Sequence, residues 1–342
     1  MTQDPVYSLV VPVHNEEEVL PLLQARLKVL LDNLDGGAEV ILVDDGSTDR
    51  SYLMMQALQQ GDERFKIVHL ARNFGHQIAI TAGMDLASGQ AVVIMDADLQ
   101  DPPEVVLEMA ARWRDGYEIV YGVRTDRSTD SRFKRLSAAL FYKFLGRLSD
   151  INIPAEVGDF RLVDRRAVEA FKSMRESSRY VRGMFAWMGF KQIGVPYARR
   201  ERAAGATKYT FRKMLRLAAD GVVGFSRTPL RLVLQFGLLV SLASVVGACT
   251  AIALYLSNIY LVPGWASVVV AVTFLGGTQL AVMGMIGEYL GRTYEEAVGR
   301  PLYVVSALHG LAPPMLPPRR AVLAEPHSII DLADLLPQEA AR

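Results

Sequence analysis

Residues 91–104 read AVVIMDADLQDPPE, an apolar run that passes directly into a cluster of acids and then two prolines. A short apolar run bounded by turn signals is typical of a buried strand, and proline suits the first positions of a helix. The same alternation recurs on both sides of this stretch. The apolar runs are Tyr7–Val13, Ala38–Asp45, Phe65–Ala71, Ala91–Asp98 and Glu118–Arg124. Strand-like runs alternating with helical patterns predict an α/β fold with a mostly parallel sheet covered on both faces.

Composition narrows the class of protein. The 342 residues contain 37 Lys and Arg against 37 Asp and Glu, and this zero formal charge argues against a nucleic-acid partner. The mean hydropathy of +0.18 is high for a cytosolic enzyme, so an apolar excess is concentrated somewhere in the chain. The single cysteine, Cys249, excludes an internal disulfide framework. No basic stretch precedes a long apolar run at the N-terminus, so we expect no cleavable signal peptide.

The apolar excess lies in two uncharged stretches near the C-terminal end, residues 232–256 and 266–286. Each is long enough to cross the hydrocarbon core of a bilayer. Basic residues flank the outer ends of the pair, and the short connector carries Tyr260 and Trp265. This charge pattern predicts a transmembrane hairpin with both termini on the cytoplasmic side. The alternative is a helical hairpin buried in a soluble core.

A basic amphipathic segment, residues 208–228, leads into the first apolar stretch, and residues 132–148 have a similar pattern. A basic amphipathic helix beside a membrane span favours a position among the lipid headgroups. The alternative is a solvated helix that packs on the α/β domain. The predicted organisation is therefore a catalytic domain (1–207), a juxtamembrane helix (208–228), a hairpin (229–290) and a cytoplasmic tail (291–342). Beyond Val305 the tail is proline-rich, and we predict disorder with a short docking helix near 329–336.

Aspartates stand at the ends of the predicted strands, where parallel sheets bind their ligands. In extended backbone, residues two apart point the same way, so Asp96 and Asp98 should present both carboxylates to one point, with Gln100 near them. Three oxygen donors suit Mg²⁺ or Mn²⁺. Such an ion would stabilise the negative charge of a departing diphosphate. The alternative is that these acids cap the next helix, a role that we expect for Asp101.

Other strand ends carry further candidates. Asp44 and Asp45 could accept hydrogen bonds from a base or from ribose hydroxyls, although a turn followed by a helix cap explains the same residues. His76 follows the third strand, and a loop histidine by itself is more often solvated than functional. Three cations suit an anionic lipid head at a membrane surface, while ordinary flanking charge is the alternative. These cations are Arg124, Arg202 and Lys208.

Several familiar motifs are absent from the sequence. It contains no GxGxxG, GxxxxGK[ST], GxSxG or HExxH, which removes the main support for dinucleotide, P-loop, hydrolase and zincin interpretations. It also lacks the QxxRW motif of processive polysaccharide synthases. A non-enzymatic membrane scaffold with a degenerate site remains an alternative from a different class.

Seven motifs together identify a resemblance that runs from about Val10 to Val304. They are VVPVHNEE, VDDGSTD, ARNFG, DADLQDPPE, the RSTDSR run at 127–132, VGDFRL and GEYLGRTYEEAVGRPLYV. The chain resembles the polyisoprenyl-phosphate glycosyltransferases, membrane relatives of dolichol-phosphate mannose synthase within the family-2 glycosyltransferases. Its likeness is greatest to the bactoprenol glucosyltransferases of O-antigen modification, a form of lipopolysaccharide modification.

The resemblance implies a Rossmann-like GT-A domain that transfers a sugar with inversion, and it assigns roles by motif position. The residues implied for the nucleotide are Pro12, Glu16, Asp44, Asp45, His76 and Asp96. Those implied for the metal and diphosphate are Asp96, Asp98 and Gln100. Arg124, Arg202 and Lys208 are implied for phosphate and acceptor, and Asp159 stands where relatives have a proposed catalytic carboxylate. One departure is His76, where relatives often have lysine, so that cationic contact could be weaker or pH-dependent.

We therefore expect transfer of a hexose, glucose from UDP-glucose being the best candidate, to undecaprenyl or another polyprenyl phosphate. The expected location is the cytoplasmic face of a bacterial inner membrane, with Mn²⁺ or Mg²⁺ as cofactor. The alternative donors are GDP-mannose and a UDP-aminoarabinose derivative. Because a phosphate monoester has its second pKa near 6, the acceptor needs no strong base, and Asp159 is expected chiefly to position it or to take a late proton. Small residues in the two apolar stretches favour close helix packing and a homo-oligomer.

Overall fold

The computed structural model describes residues 5–125, 157–177, 179–199, 228–257, 264–312 and 322–323. These residues divide into two compact units. The first unit contains the described parts of Met1–Leu136, Ile153–Tyr209 and Gly299–Arg342. The second unit contains the described parts of Thr210–Val298. The juxtamembrane segments predicted at 132–148 and 208–228 lie outside the described residues, as does the docking helix predicted near 329–336.

A mixed sheet forms the centre of the first unit. Among the described residues its strands are β1 (Tyr7–Val13), β2 (Ala38–Asp44), β3 (Phe65–Leu70), β4 (Ala91–Ile94), β5 (Ile119–Arg124), β6 (Val157–Asp164), β7 (Gln192–Tyr197), β8 (Val304–His309) and β9 (Val322–Leu323). Their order across the sheet is β7-β5-β6-β4-β1-β2-β3-β8-β9. The four strands β3, β2, β1 and β4 are parallel to their neighbours within this group. The predicted α/β architecture is confirmed, with antiparallel strands β6 and β8 joined to a parallel centre.

Six described helices belong to the first unit. They are α1 (Leu20–Asn33), α2 (Ser51–Gly61), α3 (His76–Leu86), α4 (Val105–Arg114), α5 (Arg165–Ser173) and α6 (Val181–Trp187). Every residue of β1 is buried, which explains why the strand is largely apolar, with Ser8 as its polar exception. Helix α1 turns a stripe of leucines, among them Leu23, Leu27 and Leu30, onto this sheet at helical spacing. The packing of α1 on buried strands such as β1 therefore fixes the sheet, and with it the position of the strand ends.

The antiparallel strand β6 differs in direction from its neighbour β4. In this pair Ile94, the last residue of β4, lies opposite Arg161 of β6. Because β6 runs the other way, its first residues lie at the edge where β4 ends. Strand β5 is antiparallel to β6 and parallel to β7, so the carboxyl ends of β5 and β7 reach this same edge. Candidate residues from four strands thus come to one edge of the sheet.

The C-terminal region differs from the prediction. The tail was expected to be disordered from about Ser306, but Val304–His309 forms strand β8, antiparallel to β3. Val322 and Leu323 then pair with β8 as a short parallel strand. The described residues from Gly299 onward belong to the first unit. The prediction of disorder is therefore wrong for the described residues of β8 and β9.

Two long helices make up the described part of the second unit, α7 (Thr228–Leu256) and α8 (Trp265–Val298). Helix α8 contains Val270–Val298, a stretch long and apolar enough to cross a membrane, with a mean hydropathy of 1.6. Helix α7 contains a shorter apolar stretch, Val233–Gly247. Leucines on α7 such as Leu239 and Leu242 are each 67% exposed, and the apolar window of α8 is unburied within the chain. Among the described residues, one helix, α8, is thus long and apolar enough to cross a membrane, and the predicted second span in α7 is shorter.

Candidate active site

The turn after β4 supplies two of the predicted site carboxylates. Because β4 ends at Ile94, Asp96 and Asp98 lie in this turn and not in extended backbone as the sequence predicted. Leu99 has φ +57°, a left-handed conformation that bends the chain sharply. The Asp98 carboxylate accepts a hydrogen bond from the backbone N–H of Gln100 at 3.1 Å. Both carboxylates therefore follow the course of a turn rather than the pleat of a strand, and a hydrogen bond within the turn holds Asp98.

Three predicted site residues from separate segments meet at this turn. Asp159 lies two residues before Arg161 on β6, which places it beside the turn that follows β4. The Nε2 atom of His76, the first residue of α3, lies 3.4 Å from Asp96 Oδ1 and 3.6 Å from Asp159 Oδ2. Burial disfavours the charged ring, but the charges of Asp96 and Asp159 outweigh it and raise the pKa of His76 to about 9. His76 is thus a cation between two carboxylates, in contact with both rather than simply solvated.

Asp159 is held by two further side chains that the sequence did not indicate. Arg182, in the first turn of α6, donates from Nε to Oδ1 at 2.9 Å and from Nη2 to Oδ2 at 3.0 Å. Gln77 donates from Nε2 to Oδ2 at 3.4 Å, and its Oε1 accepts from the backbone N–H of Val181 at 3.0 Å. Burial opposes ionisation of Asp159, but Arg182 and His76 hold its pKa well below the ordinary range. The Asp159 carboxylate is therefore an ionised anchor and not a free proton acceptor.

Within the described residues, Asp96 faces one cation, His76, but no hydrogen-bond donor reaches its buried oxygen. Its Oδ1 atom is buried and has no hydrogen-bond partner among the described residues. Burial raises the pKa of Asp96 to about 6 although His76 opposes this, and the nearby charges of Asp101, Asp159 and Asp98 add to the rise. A carboxylate oxygen in this state, placed among other acids, is where a cation fits. The donor chemistry of Asp96, Asp98 and the amide of Gln100 is all oxygen, as Mg²⁺ and Mn²⁺ prefer.

In the part of the chain that the structure describes, no three His, Cys, Asp or Glu side chains form a closed metal cage. The predicted set has only two carboxylates and one amide. A site of this kind leaves other coordination positions to water and to phosphate oxygens, which is how Mg²⁺ usually binds beside a substrate. The residues present therefore fit an ion that is shared with a phosphorylated substrate better than a purely structural ion.

The residues implied for the nucleoside lie at the ends of β1 and β2. Pro12 is buried within β1, and the Glu16 backbone N–H donates to the Ser51 hydroxyl at 2.9 Å. Asp44 is fully buried, with Nδ1 of His69 2.6 Å from its Oδ2. These contacts give the Asp44 carboxylate a structural role in joining β2 to β3. Any contact of Asp44 with a nucleoside stays a prediction.

Asp45 holds the loop that follows β3. Its Oδ1 accepts from the Phe74 N–H at 2.7 Å and its Oδ2 from the Gly75 N–H at 3.0 Å. Gly46, with φ +62°, lies against the same loop, and a Cβ there would come within 2.5 Å of the Arg72 carbonyl carbon. Only glycine fits this contact. The DDG sequence therefore fixes the loop that leads directly into His76.

The predicted cations are only partly described. The Nε of Arg124, at the end of β5, donates to the Tyr197 hydroxyl at 3.4 Å. Arg202 and Lys208 lie outside the described residues. Asp101 was predicted to cap α4, but the residue at the N-cap is Glu104, and Asp101 accepts from the Tyr197 hydroxyl at 2.5 Å. That prediction is wrong, because Asp101 is turned into the sheet edge and is 1% exposed.

Residues 8–171 match the sequence model of Glycosyl transferase family 2. An uncharacterized glycosyltransferase, YkcC of Bacillus subtilis (strain 168), is 47% identical over 305 residues, 89% of this chain and 94% of that protein. A bactoprenol glucosyl transferase of Shigella phage SfII is 40% identical over 304 residues, 88% of this chain and 98% of that protein. The fold and the acidic site thus agree with a sugar-transferring α/β enzyme. The chain belongs to glycosyl transferase family 2, and it is a glycosyltransferase.

Among solved structures, a mannosyltransferase from Pyrobaculum calidifontis in complex with GDP-Man and Mn²⁺ matches with a TM-score of 0.41 and 18% identity. The match covers 84% of this chain and 88% of that one.

Proposed function

We propose that this glycosyltransferase transfers a hexose from a nucleotide sugar to a polyprenyl phosphate, with glucose from UDP-glucose as the best candidate donor. The curated relatives named bactoprenol glucosyl transferase support the acceptor class and the sugar, because the chain matches nearly their whole length. The observation that carries the proposal is the buried carboxylate oxygen of Asp96, which has no hydrogen-bond partner in the described chain and lies within an acidic cluster at the sheet edge. That site suits a bound cation, and the proposed substrates are anions that would share one.

Asp96 and Asp98, with the amide of Gln100, would hold Mn²⁺ or Mg²⁺. A divalent cation bound there neutralises the diphosphate of the donor and stabilises the charge that develops as it leaves. The Asp98 carboxylate is braced by the turn, so it can hold its position without rearrangement. His76 contributes a positive charge beside Asp96 and limits the repulsion between that carboxylate and Asp159. These residues bind and orient charge, and none of them needs to gain a proton.

The acceptor phosphate would be the nucleophile. A phosphate monoester is largely in its dianionic form at neutral pH, so it attacks without losing a proton to the enzyme. This agrees with Asp159, whose carboxylate is occupied by Arg182 and Gln77 and is held ionised. Asp159 accordingly has a positioning role, in which it holds the side chains of Arg182 and Gln77 at the site. Displacement from the face opposite the leaving diphosphate would invert the sugar, as the family resemblance implies.

The membrane setting belongs to the same proposal. Helix α8 is long and apolar enough to cross a bilayer, and α7 presents a further row of exposed apolar residues. We place both in a bacterial inner membrane, with the catalytic unit on the cytoplasmic side where basic flanking residues favour it. The two helices would hold the enzyme where its lipid acceptor resides. Contact with membrane lipids and assembly into a homo-oligomer remain part of this proposal.

A transfer assay tests the proposed function. Purified full-length protein with Mn²⁺ is supplied with polyprenyl phosphate and, in separate reactions, radiolabelled UDP-glucose, GDP-mannose and a UDP-aminoarabinose derivative. We expect label to enter the lipid fraction with UDP-glucose. Label entering only with another donor would correct the sugar, and no labelled lipid with any donor would reject the proposal.

A further inference from the structure

A second cluster lies at the carboxyl ends of β5 and β7, and the reaction proposed above does not use all of it. Arg124, the last residue of β5, lies opposite Tyr197, the last residue of β7, in the parallel register of the two strands. Arg199 follows two residues later. Asp101, from the segment after the acidic turn, lies between them. Two arginines, one phenol and one buried carboxylate therefore share this corner of the sheet edge.

Within the described residues, the two arginines of this cluster make few hydrogen bonds. The Asp101 carboxylate accepts its short bond, 2.5 Å, from the neutral Tyr197 hydroxyl. Arg199 Nε lies 3.9 Å from Asp101 Oδ1, too far for a hydrogen bond, and this buried nitrogen has no partner within the described ranges. Among the described residues, Arg124 makes one hydrogen bond, and it is long, 3.4 Å to the Tyr197 oxygen. The neighbouring residues thus hold the two guanidinium groups in place, but they accept few of the hydrogen bonds that these groups can donate.

The charges do not balance either. Within the described part of this cluster, Arg124 and Arg199 contribute two positive charges against the single negative charge of Asp101. A buried guanidinium nitrogen without an acceptor costs free energy, so this arrangement is expected to have an anionic partner. Planar guanidinium groups match the oxygens of phosphate in particular.

The cluster is in electrostatic contact with the acidic turn. The negative charge of Asp101 is one of the causes of the raised pKa of Asp96. An excess of positive charge therefore lies directly beside the excess of negative charge at Asp96 and Asp98. A phosphate group at this edge could contact both the arginines and a cation held by Asp96 and Asp98.

We infer that Arg199 joins Arg124 in a clamp for phosphate oxygens, and that the Tyr197–Asp101 hydrogen bond is the brace that positions both arginines. The inference rests on the proposed function and adds two elements to it, a binding role for Arg199 and a positioning role for Tyr197 and Asp101. The phosphate oxygens could belong to the diphosphate of the donor or to the monophosphate of the acceptor.

Direct binding separates these two sources and needs no turnover. Calorimetry on full-length protein in detergent compares UDP with Mn²⁺, farnesyl phosphate, and farnesol as the phosphate-free control. Arg199→Gln is expected to weaken binding of one phosphate ligand by about tenfold, the scale of one charge-assisted bond, and to leave farnesol unchanged. Weakened UDP binding assigns the clamp to the donor, and weakened farnesyl phosphate binding assigns it to the acceptor.

Two further variants control for folding and for the brace. Arg166→Gln removes an arginine whose side chain is 78% exposed and pairs with Glu118 on the surface, so binding of all three ligands should match wild type. Tyr197→Phe removes only the hydroxyl, and it should weaken the same ligand as Arg199→Gln by a smaller factor, about threefold, because both arginines remain. Rescue by Arg199→Lys should be partial, since lysine restores the charge without the planar fork.

The inference is overturned if Arg199→Gln binds UDP and farnesyl phosphate as wild type does while its melting temperature is unchanged. It is also overturned if farnesol binding weakens in parallel, because the loss would then not depend on phosphate. Failure of the proposed function would look different. Wild-type protein would then show no labelled lipid in the transfer assay, whatever the binding results for these variants.

Discussion

Arg182 holds both carboxylate oxygens of Asp159, with its Nε 2.9 Å from Oδ1 and its Nη2 3.0 Å from Oδ2. This two-point contact joins α6 to the start of β6. A forked arginine is among the strongest partners that a carboxylate can have, and it favours the ionised form. The residue that the family resemblance marks as catalytic is therefore engaged by protein, which shapes what its removal should do.

Loss of the arginine should be felt in stability as well as in rate. Arg182→Gln leaves a buried carboxylate without its main cation, and we expect the free energy of unfolding to fall by about 3 kcal/mol. Arg182→Lys restores charge but not the fork, so an intermediate loss is expected. Chemical denaturation of the three proteins measures this. Equal stability of wild type and Arg182→Gln would contradict the anchoring role.

The two carboxylates at 98 and 159 should differ in their effect on turnover. Asp98→Ala removes a proposed metal ligand and should lower kcat by about 10³-fold, whereas Asp159→Asn removes an anchor and should cost about tenfold. The comparison uses the transfer assay at saturating substrates. Losses of equal and near-total size in both variants would show instead that Asp159 takes part directly in the chemistry.

Local patterns predicted much of the site. Each strand run and the helix that follows it can be recognised from a short window, and the acids at 96 and 98 stand out within such a window. The exact geometry did not follow, because β4 ends earlier than its apolar run suggested and the acids occupy a turn. Side chains two residues apart point the same way in a strand, but this rule does not hold in a turn.

The partners of these residues could not be predicted in the same way. Arg182 meets Asp159 only because α6 packs beside β6, and Asp101 meets Tyr197 only because β7 pairs with β5. Such contacts depend on the pairing of distant segments, for which one sequence carries no local signal. Strand β8 was missed for a related reason, since its antiparallel partner, β3, lies in a distant part of the chain.

Glu39, a buried carboxylate at the end of β2 opposite the site, should make the stability of the fold depend on pH in acid. Burial opposes ionisation of Glu39, but hydrogen bonds from Lys66, Ser8 and Ser88 lower its pKa below the ordinary 4.5. A depressed pKa stabilises the fold above pH 4.5, and that contribution is lost as the pH falls through the folded-state value. We expect Glu39→Gln to be about 2 kcal/mol less stable at pH 7.

The pH dependence of this difference is the sharper test. The gap in unfolding free energy between wild type and Glu39→Gln should be constant from pH 7 to about pH 5 and should narrow below pH 4.5. Glu108→Gln, an exposed side chain on α4, serves as the control and should show a small and flat difference. A gap that widens in acid would have the wrong sign for this account.

Labelling of the single cysteine, Cys249, tests whether α7 lies in the bilayer. Cys249 lies in α7 and is exposed within the chain, while in membrane vesicles the bilayer should protect it from a water-soluble maleimide. Ser173→Cys in a Cys249→Ser background places a thiol on the exposed end of α5, and this thiol should label in inverted vesicles. If Cys249 in the wild-type protein labels as fast as the thiol introduced at position 173, placement of α7 in the bilayer is contradicted.

The most direct test of the central claim is the rate of sugar transfer to polyprenyl phosphate before and after removal of divalent cations. We predict that a chelator abolishes transfer by the wild-type enzyme and that excess Mn²⁺ restores it. The same addition should fail to restore transfer by Asp98→Ala, while Glu108→Ala should behave as wild type. Turnover that continues undiminished in the chelated wild-type enzyme would contradict the claim that Asp96 and Asp98 act by holding a cation.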